Sequence, residues 1–414
     1  MRVLRFRAYY FPEITSSNHL SDDVDNALIQ EKITYINYTP TPTRGVSDSV
    51  RREYAKKKQE TLKDGYLIIH RFSMFREGRN PILRALRYLF CNIAQYFLGV
   101  REKEVDLVYS ASTPPTQGLL CALVAKRLSK KYGRHVPFVY NLQDVFPDSL
   151  VTTGLTKKGS ILWKFGRKIE DYTYAHADHI IVISESMKQN IMDKGVPEEK
   201  ITVVSNWIDT EATQPVPREE NRLFEEFGLD RNKFTVVYAG NFGKAQGAGV
   251  VLDAAALLAH EDVQFAIFGG GAEFEAAKTR VEENALKNVT INGLLPTERV
   301  PEVYSLGDVA LITCKKGVGD SGMPSKTWSI MACDTPIIAA FDTESELADI
   351  LSRSGAGVVV EPENAAALAE AILALKKGEI KPEGGRAYVC EHAEKKLCTA
   401  KYVKVIKNSS ENAK

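Results

Sequence analysis

The chain has 414 residues, 44% hydrophobic and 26% charged, with a formal net charge of +1. That length exceeds one small core and points to two domains of about 200 residues in a soluble, globular chain. The near-neutral balance excludes a chain that coats nucleic acid. Six cysteines (Cys91, Cys121, Cys314, Cys333, Cys390 and Cys398) without C-x-x-C spacing argue against a zinc site or disulfide framework and for reduced thiols in the cytoplasm.

The opening MRVLRFRAYYFPE has no long apolar run and no small-residue cleavage site, so it does not read as a signal peptide. The first strand and its turn, RFRAYYFPEITSSNHLSDDV, contain no glycine, so the dinucleotide fingerprint of a Rossmann dehydrogenase is missing there. His19 follows in a polar loop that opens a helix. A lone histidine is more often structural than catalytic, and a substrate role stands beside that plain reading.

From Arg44 to Val105 there are 14 Lys/Arg against 7 Asp/Glu. Within this basic block, PILRALRYLFCNIAQYFLGV is interrupted by Arg84, Arg87, Asn92 and Gln95, so it does not read as a transmembrane span. Those four residues form a polar stripe opposite a wide apolar face. The pattern fits a core helix that buries its apolar face. It also fits a helix that docks on an anionic membrane leaflet.

Strand and helix patterns then alternate: DLVYSAS, the helix TPPTQGLLCALVAKRLSKKYG, and the strands VPFVYNLQD, HADHIIVIS and VPEEKITVVSN. This rhythm predicts parallel sheets covered by helices. In NLQDVFPDSL, Asp144 ends a strand and is a candidate base or acceptor-orienting carboxylate, whereas Asp148 suits a helix cap. The proline-rich, charged PVPREENRL places a hinge near 208–222. A second α/β series follows, with strands in FTVVYAGN, VQFAIFGGGAEF, VTING, VALIT, PIIAAFD and AGVVVEP. Residues 1–208, 209–384 and 385–414 are the expected first domain, second domain and returning C-terminal helix. The last residues, NSSENAK, read as frayed. Ligands in such sheets bind beyond the strand carboxyl ends, so a cleft between the domains is the expected site.

Three stretches bear on phosphate. FGGGAEFEAAK has strand-glycine-helix form without G-x-G-x-x-G spacing, and by itself reads as a tight turn. YAGNFGKAQG ends a strand at Gly240 and surrounds Lys244 with glycines, which suits an anion, although a surface turn is the plain alternative. GVGDSGMPSKTWSIMACDTP nearly spells a P-loop, but Met323, Pro324 and Ser325 stand before Lys326 and Thr327. Pro324 suits the first helical turn, which puts Lys326 at a helix N-terminus. A lysine there is disfavoured unless an anion shares the position. A solvated lysine on an exposed turn is the other reading.

These segments, with SASTPPTQGLLCALVAKRL, NLQDVFPDSLVTTGL, HADHIIVISESMKQNIMDKGVPEEKITVVSNWIDTE and NVTINGLLPTERVPEVYSLGDVALI, resemble the family-four glycosyltransferases of the GT-B fold. The likeness is greatest to bacterial enzymes that build capsule, O-antigen and exopolysaccharide, among them amino-sugar and fucosamine transferases. It implies two Rossmann-like parallel-sheet domains facing a central cleft. It also implies a retaining, metal-independent enzyme without a cofactor. The donor would be a nucleotide sugar, usually UDP-linked, and the acceptor a polyprenyl-diphosphate-linked saccharide at the inner face of the cell membrane. By resemblance, Gly240, Asn241, Lys244, Ser325 and Lys326 approach the diphosphate. Gly271, Leu294 and Leu295 border the nucleoside, and Glu346 holds ribose or phosphate. Ser16 and Ser17 replace an acceptor-side glycine pair. Asp144 and Lys326 are the catalytic candidates, with Ser16, Ser17 and His19 toward the acceptor. The family's Glu-x7-Glu pair is absent, with Ser321 and Ser329 in its place, and Asp334 replaces a helix-capping glycine. A UDP-sugar 2-epimerase of the same fold and a non-catalytic nucleotide-sugar-binding subunit remain alternatives.

Overall fold

The structure, a computed structural model, describes residues 1–13, 18–77, 80–152, 154–319, 323–382 and 385–413. It divides into two compact units, Met1–Ser205 with Cys398–Lys414, and Asn206–Leu397.

The first unit runs β1 (Arg2–Phe6), α1 (Asn18–Gln30), β2 (Thr34–Pro40), α2 (Asp48–Lys56), β3 (Gln59–Leu62), β4 (Leu67–Phe72), α3 (Pro81–Gly99), β5 (Leu107–Ala111), α4 (Gln117–Tyr132), β6 (Phe138–Leu142), α5 (Asp148–Thr152), α6 (Ile161–His176), β7 (His179–Val182), α7 (Glu185–Asp193) and β8 (Ile201–Val203). Its eight strands are ordered β3-β4-β2-β1-β5-β6-β7-β8. All pairs are parallel except β3 with β4, an antiparallel edge that the alternating pattern did not predict. Strands such as Phe138–Leu142 are buried along their whole length, which is why they read as continuous apolar runs.

The second unit holds α8 (Leu223–Glu226), β9 (Phe234–Asn241), α9 (Gly249–Leu257), β10 (Val263–Gly270), α10 (Phe274–Glu283), β11 (Val289–Gly293), α11 (Val300–Tyr304), β12 (Val309–Thr313), α12 (Lys326–Ala332), β13 (Ile337–Ala340), α13 (Glu346–Ser354), β14 (Gly357–Val360), α14 (Ala365–Lys376) and α15 (Gly385–His392). Its six strands are ordered β11-β10-β9-β12-β13-β14 and all are parallel. Side-chain caps start α13 and α14: Ser345 accepts from the Ala348 N–H and Asn364 from the Ala367 N–H. Asp334 ends the α12 turn with φ 56°, the left-handed conformation that its short polar side chain tolerates.

Two expectations need correction. The last helix, α16 (Lys395–Glu411), does not fray at NSSENAK but runs through Ser410, which is buried. Its inward stripe Cys398, Tyr402, Ile406 and Ser410 continues at four-residue spacing, and the Tyr402 hydroxyl bonds to Asn141 at 3.1 Å.

The core-helix reading of α3 is reversed. Its polar side faces inward: Arg87 and Gln95 are buried, while Leu83, Leu86, Leu89, Phe90, Ile93 and Phe97 are exposed. Arg84 does not share the buried side. The polar side finds its hydrogen-bond partners on that side, among backbone carbonyls and threonine hydroxyls of neighbouring segments. Gln95 Nε2 donates to the carbonyls of Arg7 (3.1 Å) and Tyr38 (3.0 Å). Arg87 Nη2 donates to Thr43 Oγ1 at 3.1 Å, and Asn92 Nδ2 to Thr116 Oγ1 at 2.6 Å.

Candidate functional site

The strand order of the second unit reverses between β9 and β12, and parallel sheets bind ligands beyond the strand carboxyl ends at such a point. A cavity of about 420 Å³ opens there, within the roughly 300–1,000 Å³ of small-ligand pockets. Its walls are mostly apolar, with Phe268, Leu294, Leu295, Ile312 and Phe341 among them. The polar groups include Asn241, Gln246, Thr313, Ser325 and Lys326, and no carboxylate lines it among the described residues.

Lys326 is the first residue of α12, after Ser325 at the N-cap position, whose side chain makes no cap bond. Pro324 stands one residue further out than expected, and accepts from the Thr327 N–H at 3.0 Å. The lysine stem is partly exposed, but Nζ is buried and makes no hydrogen bond among the described residues. It lies 4.2 Å from the centroid of the Tyr238 ring. Burial lowers its pKa from 10.5 to about 8, because the charged form has lost water without gaining a counter-charge. The solvated-lysine reading therefore fails.

Tyr238 was not singled out from sequence. It sits inside the apolar run of β9, is fully buried, and donates its hydroxyl to the Asn241 carbonyl at 3.1 Å. Burial pushes its pKa up to about 12, so it presents a neutral ring to the ammonium.

Two glycines make the approach possible. Gly240 has φ 153°, and a Cβ there would lie 2.8 Å from Lys326 Nζ. Gly271 has φ 117°, and its Cβ would lie 2.1 Å from Asn241 Oδ1. Asn241 Nδ2 in turn donates to Gln246 Oε1 at 3.2 Å, and Thr313 Oγ1 donates to the Gln246 carbonyl at 2.7 Å.

Gly240, Asn241, Leu294, Leu295, Ser325 and Lys326 thus line one cavity, with Gly271 supporting Asn241. Lys244 and Glu346 do not line it: Lys244 is exposed on the loop after β9, and Glu346 opens α13, half-buried. Gly317, the first glycine of the P-loop-like spacing, already serves a protein anion, as does Gly319. The N–H groups of Gly317 and Gly319 donate to Asp342 carboxylate oxygens at 3.0 and 2.7 Å. Ser321 and Gly322 lie outside the described residues, and Ser329 is half-buried in α12.

In the first unit, Asp144 stands in the turn after β6 and is exposed. Partial burial of its carboxyl raises its pKa, opposed by a bond from Ser149. Asp148 does more than start α5, since it accepts from Trp163 Nε1 at 3.2 Å and pairs with Lys194 at 2.7 Å. Burial works against its ionisation, but the Lys194 pairing outweighs it and the pKa is lowered. His19 is exposed in the first turn of α1. The acids that follow it are structural partners: Asp22 pairs with Arg7 at 2.6 Å, and Asp25 pairs with Arg5 and Arg7. Ser16 and Ser17 lie outside the described residues.

Comparison with known proteins agrees with this architecture. Residues 45–212 match the model described as Glycosyltransferase Family 4, and residues 219–390 the model described as Glycosyl transferases group 1. The chain is 29% identical over 316 residues to a probable glycosyltransferase, WbjE, of Pseudomonas aeruginosa, covering 76% of this chain and 77% of that one. It is also 29% identical over 263 residues to a putative colanic acid biosynthesis glycosyl transferase, WcaI, of Escherichia coli K12, covering 61% and 63% respectively. Among solved structures, Anabaena HepE in complex with UDP superposes with a TM-score of 0.70 at 15% identity, covering 99% of this chain and 100% of that one. Two parallel-sheet units, two consecutive family matches and these relatives agree: the chain belongs to the family-four glycosyltransferases of the GT-B fold.

Proposed function

We propose that this glycosyltransferase is a retaining enzyme of surface-polysaccharide synthesis. It moves an N-acetylated amino sugar from a UDP-sugar to a polyprenyl-diphosphate-linked saccharide, with no metal or other cofactor, at the cytoplasmic face of the membrane. One observation carries the donor side: a buried ammonium, Lys326 Nζ, without a hydrogen-bond partner among the described residues, in an apolar cavity whose described lining contains no carboxylate. Such a group needs an anion, and a nucleoside diphosphate supplies one. Likeness supports the choice of nucleotide and pathway, since HepE was solved with UDP and WcaI is named for colanic acid synthesis. The amino sugar rests on resemblance to amino-sugar transferases.

In the reaction the bond between the anomeric carbon and the donor phosphate oxygen breaks, and the acceptor hydroxyl oxygen bonds to that carbon on the same face. The departing diphosphate takes up the negative charge, which the Lys326 ammonium would meet in the cavity. The acceptor proton passes to the leaving phosphate or to Asp144, the candidate for orienting the acceptor. The exposed apolar side of α3, with the basic 44–105 block around it, is the proposed membrane contact. No helix among the described residues is long and apolar enough to cross a membrane.

A calorimetric screen of UDP- and GDP-sugars, followed by turnover with a lipid-linked acceptor in the presence of EDTA, tests the proposal. UDP-sugar binding and acceptor-dependent transfer are expected. Conversion of the sugar without acceptor would show an epimerase. Binding without turnover would favour a non-catalytic subunit, the reading that Ser329 at a family glutamate position supports.

A further inference from the structure

The first unit exposes a second apolar cluster, separate in sequence from α3. Leu155 is 73% exposed, Ile161 89%, Leu162 53% and Phe165 62%. Single exposed apolar residues are ordinary, but four of this size fall within residues 155–165, three of them in the first two turns of α6, and that concentration asks for a partner. Between Asp148 and Glu170 the chain carries Lys157, Lys158, Lys164, Arg167 and Lys168 and no acidic residue. The four lysines are exposed, and Arg167 is held by Glu170 and Asp171.

The patch is firmly built. Ser160 caps α6 by accepting from the Trp163 N–H at 3.2 Å, and Trp163 Nε1 donates to Asp148 Oδ1 at 3.2 Å. Lys194 Nζ ties Asp148 (2.7 Å) to Glu170 (3.1 Å). A Cβ at Gly166 would lie 2.7 Å from Pro147 Cβ, so α6 presses directly on the segment that follows Asp144. α3 packs against α4 and α4 against α6, so the three helices form one layer on the sheet. Between the two apolar clusters, α4 exposes Lys126, Arg127 and Lys130.

We infer that residues 155–168 form a second lipid-inserting element: an apolar tip among lysines that enters an anionic bilayer and seats the Asp144 turn at the membrane surface. Anionic headgroups match the lysines while acyl chains take Leu155, Ile161, Leu162 and Phe165. A second copy of the chain fits less well, because an isologous contact would bring these lysines against one another. The inference rests on the proposed lipid-linked acceptor, but on residues outside the 44–105 block.

Co-sedimentation of the full chain with vesicles of phosphatidylethanolamine and phosphatidylglycerol tests it. Ile161→Ser with Phe165→Ser should weaken vesicle binding at least about tenfold, as should Lys157→Glu with Lys158→Glu. The urea unfolding midpoint and UDP binding should stay unchanged. Leu89→Ser with Phe90→Ser probes α3 separately. Loss of binding in the α3 variant alone would overturn the inference and leave the docking proposal standing. No binding by the wild-type protein would overturn both. A wild-type dimer in sedimentation equilibrium that the Ile161/Phe165 variant splits, with vesicle binding unaltered, would assign the patch to a second copy and overturn the inference.

Discussion

Lys326 Nζ stands 4.2 Å from the centre of the Tyr238 ring, and no oxygen of the described residues hydrogen-bonds to it. The ring face compensates only in part for the water the ammonium has lost. The unliganded protein therefore carries an unmet charge where a diphosphate would meet it. Under the proposed function this is electrostatic preorganisation, and its cost in stability can be measured.

Lys326→Met keeps the stem and removes the charge. UDP affinity should fall by about 100-fold, the equivalent of roughly 3 kcal/mol for a lost charge-assisted contact. The unliganded variant should be more stable at neutral pH by about 1–3 kcal/mol, because the shift from 10.5 to about 8 records a disfavoured ammonium. Calorimetry and urea unfolding check both. UDP binding equal to wild type would sink the phosphate assignment.

The same lysine sets a pH dependence. Its pKa is depressed by folding, so below about 8 both folded and unfolded chains carry the charge and the penalty stands. Between about 8 and 10.5 the folded chain sheds the proton and the unfolded chain keeps it, so the stability contribution rises with pH. A bound diphosphate favours the ammonium, so UDP affinity should weaken as pH rises through about 8. Affinities measured on both sides of that value should show the trend in the wild type and not in Lys326→Met.

Gly240→Ala should strain a φ of 153° and push a methyl group to within 2.8 Å of Nζ. A stability loss of about 1 kcal/mol is expected from the backbone, with a tenfold or greater loss of UDP affinity from displacement of the lysine. Gly133→Ala is the control: its φ is 65° and nothing lies within 4 Å of the new methyl, so it should lose stability without losing UDP affinity.

Asp144→Asn should lower kcat by about 10²–10⁴ with donor affinity unchanged, if the carboxylate orients or deprotonates the acceptor. Burial raises the Asp144 pKa, so the acid limb of the wild-type rate profile should lie above the ordinary aspartate range and vanish in the variant. An unchanged kcat would remove Asp144 from the mechanism.

Unfolding measurements should expose the inverted helix. Ile93→Ser with Phe97→Ser should cost less than about 1 kcal/mol, since both side chains face outward. Gln95→Leu should cost about 1–3 kcal/mol, because it strips a donor from the carbonyls of Arg7 and Tyr38.

Much of the architecture was legible in sequence. Continuous apolar runs ending in glycine or short polar residues marked the buried parallel strands, and Lys326 stood out as a cation in a helix's first turn. Asp334 at a helix cap and Gly240 at a strand end were equally visible. Lys244 and the glycines around Asp320 had the same local look as a phosphate loop. Yet Lys244 lies outside the cavity lining, and Asp342 holds the Gly317 and Gly319 amides.

By itself the sequence determined the α/β series and the presence of a misfit lysine, because periodicity and helix-end electrostatics act between near neighbours in the chain; the glycosyltransferase family was legible only as a resemblance of its segments. Tertiary structure alone decided that Lys326 is buried rather than solvated, that Tyr238 is the ring beneath it, and that α3 turns its polar side inward. Each depends on groups far away in sequence: a tyrosine on β9 for a lysine on α12, and the carbonyls of Arg7 and Tyr38 for Gln95. Desolvation and the demand of buried carbonyls for donors are properties of the packed chain, and only the packed chain sets them.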